Sequence, residues 1–310
     1  MKRRAETKLN LQASGKTLLD YLSGRFNYHS REEWQERIVK GELFLNDTPC
    51  CEPHQLLQEG MLLRYEPTNL VEPAVNGDYK IVFEDETLLV IDKPGNLPVH
   101  PAGPYFSNTL WAMLRQAGYS SLHLVNRLDR ETSGLLIVAK SSEAAGILAK
   151  TLMDMQKKYL VAVHGVFPQE LHAKGFLGKD IKSPIRKKQR YSAESDEIPD
   201  AQVVETHFTR IASNNDLSLV EAELFTGRMH QIRATLHSLH YPVVGDKLYG
   251  LNEEFYRRLA LDTLSTDDRQ ALLLPRQALH CCALSFEHPV SGKTMQFTAP
   301  APEEIMQLFK

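Results

Sequence analysis

The chain has 310 residues, which is enough for one large domain and one small domain at about 100–200 residues each. Its composition, 42% hydrophobic and 24% charged, excludes disordered and collagen-like classes. The formal net charge of −3 means that any nucleic-acid-binding surface must be local. No apolar run is typical of a signal peptide or a membrane helix, so we expect a cytoplasmic protein without a membrane partner.

The first part of the chain has the pattern of a small unit. LLDYLSGRF and REEWQERIVKGE have helical spacing, and LFLN and MLLRYE are typical of short strands, with a turn through Asn46 and Asp47. Residues 67–78 contain two prolines and a glycine with little periodicity, which indicates a linker. We predict a small domain over 1–66, a linker over 67–78 and a large domain over 79–310.

The large domain is rich in strands that follow one another directly. Strand patterns occur in KIVFE, LLVIDK, SGLLIVAK, KYLVAVHG, AQVVETHFTRIA, LSLVEAELF, LHCCALSFEHP and TMQFT. Helices are predicted over SNTLWAMLRQAG, with Ser107 as the N-cap, over SEAAGILAKTLMDMQK, and over RMHQIRATLHSLH. This order predicts an α+β fold, with a mixed, mainly antiparallel sheet flanked by helices.

One carboxylate stands out in HLVNRLDRETSGLLIVAK, residues 123–140. Asp129 lies between Arg127 and Arg130 at the turn into a buried strand. Opposite charge within about 4–6 Å favours the ionised form, and an ionised carboxylate can act as a nucleophile or a base. A simple turn residue or an exposed ion pair is the alternative explanation of this string alone.

The helix predicted from Met229 has two stripes. His230, Arg233, His237 and His240 form a polar stripe, while Met229, Ile232, Leu236 and Leu239 form an apolar one. We expect the apolar side to be buried and Arg233 to be offered on the other side, as a counter-charge for a carboxylate in a water-excluding cleft. The histidines raise the hypothesis of a metal site, but HExxH spacing is missing, so we predict no metal.

The clearest basic run carries five cations. It could face a nucleic acid or be an ordinary solvated loop, and it consists of Lys182, Arg186, Lys187, Lys188 and Arg190.

Several segments together resemble one family. HLVNRLDRETSGLLIVAK resembles the signature HRLDRxTSGLLLxAK of the RluA-type pseudouridine synthases. VIDKPGNLPVHPAG, KKYLVAVHG, LFTGRMHQIRATLHSLHYPVVGDKLYG and LHCCALSFEHPVSGK are similar to further motifs of that family, in the family's order. The resemblance covers about residues 79–302. It implies a pseudouridine-synthase-like domain that isomerises uridine in structured ribosomal or transfer RNA, without a cofactor and as a monomer.

The resemblance also implies roles for residues. Asp129 would be the catalytic aspartate, Tyr159 the tyrosine that stacks on the target base, and Arg233 the partner of the aspartate, with Ile232 packed beside it. Arg127 matches the arginine that enters the RNA helix where the flipped nucleotide was. Asn126 stands where the family usually has histidine. Further substrate contacts are expected at Arg130, Thr132, Arg228 and His230.

The small N-terminal unit resembles the alpha-L RNA-binding domain that precedes many of these synthases. Four cations are candidate phosphate contacts there, each also explicable as solvated surface: Arg25, Arg31, Arg37 and Lys40.

Physical chemistry is consistent with these roles and leaves two rivals. A stacked uridine must be flipped out of its helix before its glycosidic bond can be reached, and an aromatic face and an inserted arginine offset the energy of flipping. The sequence does not choose between attack on the sugar, attack on carbon 6 of the base, and proton abstraction from the sugar. The rivals are a non-catalytic RNA-binding or folding factor, and a nucleosidase or RNA hydrolase that pairs Asp129 with Asp246.

Overall fold

The computed structural model describes residues 5–26, 29–68, 71–195, 198 and 201–310. The chain forms two compact units. One comprises residues 1–74 and 100–113, and the other comprises residues 75–99 and 114–310. Within the first unit, the segment after residue 100 is held by Glu72, whose carboxylate accepts hydrogen bonds from the backbone N–H groups of Phe106, Ser107 and Asn108 at 2.7–2.9 Å.

The first unit packs two helices with a small antiparallel sheet. Its strands, in the spatial order β1-β4-β2-β3, are β1 (Ala5–Lys8), β2 (Leu43–Leu45), β3 (Thr48–Pro49) and β4 (Leu62–Tyr65). Helix α1 (Leu18–Arg25) begins after the N-cap Thr17, and α2 (Arg31–Val39) begins with a capping box made by Ser30 and Glu33. The predicted helices are confirmed, whereas β1 was not predicted.

The predicted turn between β2 and β3 is present. Asn46 and Asp47 have positive φ values of 48° and 66°. A two-residue hairpin needs this left-handed backbone at both positions, and asparagine and aspartate tolerate it better than most residues. The fully buried Trp34 of α2 lies at the centre of the core that the sheet and helices share.

The second unit is built on an 11-stranded sheet with the main order β11-β10-β12-β13-β9-β14-β8-β6-β5. Its strands are β5 (Lys80–Glu84), β6 (Leu88–Lys93), β7 (His123–Leu124), β8 (Ser133–Ala139), β9 (Gln156–His164), β10 (Glu170–Lys179), β11 (Gln189–Ser192), β12 (Gln202–Ser213), β13 (Leu217–Leu224), β14 (Leu279–Glu287) and β15 (Thr294–Thr298). Among the strands described, only β8 and β14 pair in parallel. The predicted α+β fold with a mainly antiparallel sheet is therefore confirmed.

The remaining helices are short. They are α3 (Leu110–Gln116), α4 (Ser142–Lys150), α5 (Gln231–Ser238), α6 (Glu254–Ala260), α7 (Thr266–Leu272) and α8 (Glu303–Met306). In 5–26, 29–68 and the other described ranges, no helix is both long and apolar enough to cross a membrane.

The helix starts differ from the predictions for local reasons. Helix α3 begins at Leu110, because the hydroxyl of Thr109 accepts from the N–H of Ala112, while the N–H of Ser107 is bound to Glu72. Ser107 is therefore not the N-cap. Helix α5 begins at Gln231, since His230 has a left-handed φ of 58°.

Central strand β8 sets the geometry of the loop before it. Every residue of β8 is buried between neighbouring strands, as its continuous apolar run predicts. Gly134 has a φ of 106°, and a Cβ there would lie 2.2 Å from the backbone oxygen of Cys281 on β14. Only glycine allows this close parallel pairing, which fixes where the chain enters the sheet, five residues after Asp129.

Candidate active site

Asp129 lies in the loop between β7 and β8. Buried groups at the end of β6 and just after it hold this loop through hydrogen bonds. The fully buried Lys93 at the end of β6 donates from Nζ to the carbonyl of Arg130 over 3.2 Å and to that of Pro94 over 2.8 Å. The N–H of Leu97 donates to the same Arg130 carbonyl over 3.0 Å. The backbone directly after Asp129 is therefore held in place by Lys93 and Leu97.

The carboxylate of Asp129 meets an arginine from helix α5. Nη1 of Arg233 donates to Oδ2 of Asp129 over 2.7 Å. The Arg233 side chain is 9% exposed, whereas that of Asp129 remains 34% exposed. The predicted contact is present, and the acid keeps an accessible side.

Arg233 is itself held by a second acid. Its Nε and Nη2 donate to the two carboxylate oxygens of Asp246 over 2.6 and 2.8 Å, a bidentate arrangement. Asp246 is 0% exposed, and its Oδ1 also accepts from the N–H groups of Leu248 and Tyr249. The preceding Gly245 has a φ of 73°, and a Cβ there would meet the Arg276 carbonyl at 2.0 Å. Asp246 therefore anchors Arg233 and has no accessible oxygen of its own.

These contacts keep the acids ionised. Burial raises the pKa of Asp129, but the charge of Arg233 and its hydrogen bond outweigh burial, so the pKa of Asp129 lies below the ordinary value. The pKa of Asp246 is also lowered, because Arg233 and the backbone donors outweigh its burial. The pKa of Arg233 is raised, since the two acids more than offset its desolvation.

A histidine stands on the other side of Asp129. Nε2 of His230 lies 3.8 Å from Oδ1 of Asp129, and Nδ1 lies 2.9 Å from the Tyr249 hydroxyl. That hydroxyl accepts from the N–H of Gln189 over 2.8 Å, so its own proton is available to Nδ1. Burial lowers the pKa of His230 to about 4, so the ring is neutral near pH 7. This arrangement places the imidazole proton on Nε2, facing Asp129.

Tyr159 lies on β9, opposite Ala222 of β13 and Cys281 of β14. It is 6% exposed. Burial, the Cys281 thiol and the charge of Asp129 raise its pKa well above the ordinary value, so its hydroxyl stays protonated. The ring is thus a neutral aromatic group within the electrostatic reach of Asp129.

Comparison with known proteins identifies the family. The family model for RNA pseudouridylate synthase matches residues 87–238. A ribosomal large subunit pseudouridine synthase D of Zymomonas mobilis is 34% identical over 242 residues, covering 74% of this chain and 72% of that protein. The RNA pseudouridine synthase YlyB of Bacillus subtilis is 30% identical over 303 residues, which cover 94% of this chain and 92% of that protein. This chain belongs to the RNA pseudouridylate synthase family.

A solved structure shares the fold. The human RNA pseudouridylate synthase domain containing 1 has a TM-score of 0.59 at 22% identity, over 75% of this chain and 87% of that chain. As a member of the family, the chain is an RNA pseudouridine synthase, an isomerase of uridine in RNA.

Some expected substrate contacts of this pseudouridine synthase have structural partners instead. Oδ1 of Asn126 accepts from the N–H of Ile137 over 2.8 Å and ties the loop to β8. Thr132 is 2% exposed, and its hydroxyl accepts from the Gln277 side chain. Ile232 is 4% exposed and packs in the core beside Arg233. Thr132 is enclosed in this structure, and its contact with substrate stays a prediction.

Other expected contacts of the synthase are accessible. Arg127 and Arg228 are exposed. Nη2 of Arg130 pairs with Glu131 at 2.9 Å. The cation that lowers the pKa of Asp129 most is Arg233, which lies far away in the sequence. The neighbouring Arg127 and Arg130, which the sequence predicted for this role, do not fill it.

The prediction of helix stripes in the synthase was wrong in two respects. Arg233 is 8% exposed, buried with the acids, and Met229 is 49% exposed, outside the core. Helix α5 begins only after the left-handed His230, and its residues from Gln231 to Leu236 are all buried, so the burial is not confined to one face. In the described ranges, His230, His237 and His240 do not belong to any group of three or more side chains that could hold a metal.

The basic run lies between β10 and β11, and its members differ. Lys182 and Arg186 are exposed. Nζ of Lys187 lies 4.3 Å from the centre of the Tyr256 ring. Lys188 is 6% exposed and pairs with Glu253 at 2.7 Å. The prediction of an exposed charge at this position was therefore wrong. Arg190 is half-buried on β11.

In the N-terminal unit, three of the four candidate phosphate contacts pair with acids. Arg31 pairs with Asp20 at 2.8 Å, Arg37 with Glu42 at 3.1 Å and Lys40 with Glu36 at 3.4 Å. Arg25 lies over the Tyr21 and Phe26 rings. The role of these cations in binding RNA stays a prediction.

Sequence reasoning missed several residues that build the site of the synthase. Asp246 was considered only as a second catalytic acid, and Tyr249 was not singled out, although both lie in the GDKLYG motif. Lys247 pairs with Glu131 at 2.8 Å and so links this motif to the Asp129 loop. The glycine before Asp246 is the signal that could have indicated a tightly packed turn.

Proposed function

We propose that this synthase forms pseudouridine in ribosomal RNA of the large subunit, with Asp129 as the carboxylate that reacts with a flipped uridine. The observation that carries the role of Asp129 is its contact with the buried Arg233, which leaves the acid ionised and one-third exposed. The choice of RNA is supported by the relative from Zymomonas mobilis, which is named as a ribosomal large subunit pseudouridine synthase.

The anchoring of Arg233 explains how Asp129 stays reactive when substrate enters. A bound base excludes water, and desolvation of an unpaired carboxylate would favour its protonation. Arg233 cannot turn away, because Asp246 holds two of its nitrogens. The guanidinium therefore keeps facing Asp129 throughout the reaction.

Tyr159 and Arg127 are suited to a flipped nucleotide. Flipping a base requires a few kcal/mol of unstacking, and stacking on an aromatic ring returns about 1–3 kcal/mol. We infer that Tyr159 provides this ring, because it is neutral and lies within the electrostatic reach of Asp129. The exposed Arg127 lies two positions before Asp129, where it could fill the vacancy in the RNA.

The reaction requires one reactive carboxylate. The base leaves the anomeric carbon, turns, and is rejoined through carbon 5, and no group is gained or lost. Ordinary glycoside hydrolysis uses two carboxylates that both reach the substrate, about 5–9.5 Å apart. Asp246 is fully buried and all its bonds go to Arg233 and the backbone, which argues against the hydrolase alternative.

The test maps pseudouridine across total RNA from cells with and without this gene. Cells that lack the gene are also complemented with either the wild type or Asp129→Asn. The proposal predicts loss of signal at large-subunit ribosomal positions, restored by the wild type and not by the variant. Restoration by the variant would favour the non-catalytic RNA-binding factor. A signal lost only from transfer RNA would overturn the choice of substrate.

A further inference from the structure

A cavity of about 400 Å³ lies beside the candidate active site. Its walls come from the end of β10, from β11 and the start of β12, and from the residues just before His230. They include Lys179, Ile181, Gln189, Gln202, Arg228 and Met229. The volume is at the lower end of the range of about 300–1,000 Å³ for small-ligand sites, which is suitable for one nucleoside.

The cavity shares a wall with the site of Asp129. Gln189 lines the cavity and donates its N–H to the Tyr249 hydroxyl over 2.8 Å. Tyr249 in turn contacts His230 over 2.9 Å, and His230 lies 3.8 Å from Asp129. Three short contacts thus separate the cavity from the reactive carboxylate.

The charges of the cavity are available to a ligand. Lys179 and Arg228 are exposed, and neither forms an ion pair with any carboxylate in the part of the chain that the structure describes. Lys188 nearby contrasts with them, because Glu253 neutralises it at 2.7 Å. Two such cations lining one cavity favour an anionic ligand such as a phosphate group.

The other side chains fit a base. Met229 is 49% exposed and Ile181 is 70% exposed, although both are large apolar residues. These two apolar side chains line the same cavity and give it a surface on which the face of a base can pack. Gln202 is exposed beside them, and its amide can pair with the edge of an unstacked base.

We propose that this cavity binds the nucleotide adjacent to the target uridine, with the base between Met229 and Ile181 and its phosphate near Lys179 and Arg228. The inference rests on the proposed reaction at Asp129. It adds that the substrate is recognised with a second unstacked base, and that selectivity among uridines comes partly from this neighbour.

The test measures the affinity of the full chain for a synthetic RNA hairpin that carries the mapped uridine. The double variant Ile181→Ala, Met229→Ala is compared with the wild type, on the intact hairpin and on hairpins with one abasic site at each flanking position. We expect the variant to bind the intact RNA about tenfold more weakly. At one flanking position, the abasic RNA should bind the wild type and the variant equally.

The matched control is the double variant Val166→Ala, Ile211→Ala, two residues of the same unit that are 55% and 53% exposed and lie outside the cavity. It should bind all hairpins as the wild type does. Equal affinity of the cavity variant and the wild type for intact RNA would overturn the inference. The inference would also be overturned if the cavity variant bound every abasic hairpin more weakly than the wild type by the same factor as the intact hairpin. Pseudouridine formation by the wild type on the same hairpin is read separately, so a failure of the proposed reaction is distinguishable.

Discussion

Nη1 of Arg233 donates to Oδ2 of Asp129 over 2.7 Å, although the two residues are 104 positions apart in the chain. The loop before β8 supplies the carboxylate, and helix α5 supplies its counter-cation. Neither motif explains the site alone, because the acid needs a counter-charge that remains in place when water is excluded.

The first prediction concerns the anchor of Arg233. Asp246→Asn removes the charge that holds the guanidinium, and breaking a buried ion pair usually lowers the free energy of unfolding by about 3–5 kcal/mol. We also expect a lower kcat, since Arg233 is then free to move away from Asp129. Urea unfolding and single-turnover rates measure the two effects.

Glu254→Gln is the control for this anchor. It breaks the pair of Glu254 with Arg257, in which both side chains are about half exposed. Such surface pairs contribute about 0–1 kcal/mol. If both variants changed stability equally, Asp246 would not be an anchor.

Much of this arrangement could be predicted from the sequence. The strand patterns predicted the sheet, and motif order predicted that Asp129 and Arg233 meet. The role of Asp246 could not be predicted, because its distinction from a catalytic acid is its complete burial, which depends on the tertiary fold. The burial of Arg233 was missed for a similar reason, because α5 is buried from Gln231 to Leu236 and not on one face only, which depends on the elements packed around it.

The second prediction concerns His230 as a donor. Its Nε2 is 3.8 Å from Asp129, too long for a hydrogen bond, and we expect the distance to shorten when substrate binds. A hydrogen bond to a charged group contributes about 1.5–3 kcal/mol, so His230→Ala should lower kcat by about 10–100-fold with little change in KM. Tyr249→Phe removes the hydroxyl that fixes the His230 proton on Nε2. This variant should lose less kcat than His230→Ala does. A normal kcat in both variants would exclude this role.

The third prediction separates two roles of Tyr159. If the ring stacks on the base, Tyr159→Phe keeps most of the activity, while Tyr159→Leu loses about 1–3 kcal/mol of stacking. Single-turnover rates and RNA affinities are compared, with circular dichroism as the check on folding. A phenylalanine variant as inactive as the leucine variant would assign chemistry to the hydroxyl.

The fourth prediction concerns stability in acid. Burial lowers the pKa values of His230 and His280 to about 4, against about 6.5 in an unfolded chain. Between these values the unfolded state binds protons that the folded state does not, so stability is lost as the pH falls from about 6.5 towards 4. Each histidine contributes a slope of up to about 1.4 kcal/mol per pH unit. Urea unfolding at successive pH values should show a shallower slope for His280→Gln, and an unchanged slope would contradict this.

The most direct test of the central claim is a single-turnover assay of purified Asp129→Asn on the mapped RNA hairpin, with affinity for the same RNA measured in parallel. Pseudouridine formation is expected to fall by about 10⁴-fold or more, because the reactive carboxylate is lost, while RNA affinity changes less than about threefold. Conversion by the variant at a rate near that of the wild type would contradict it.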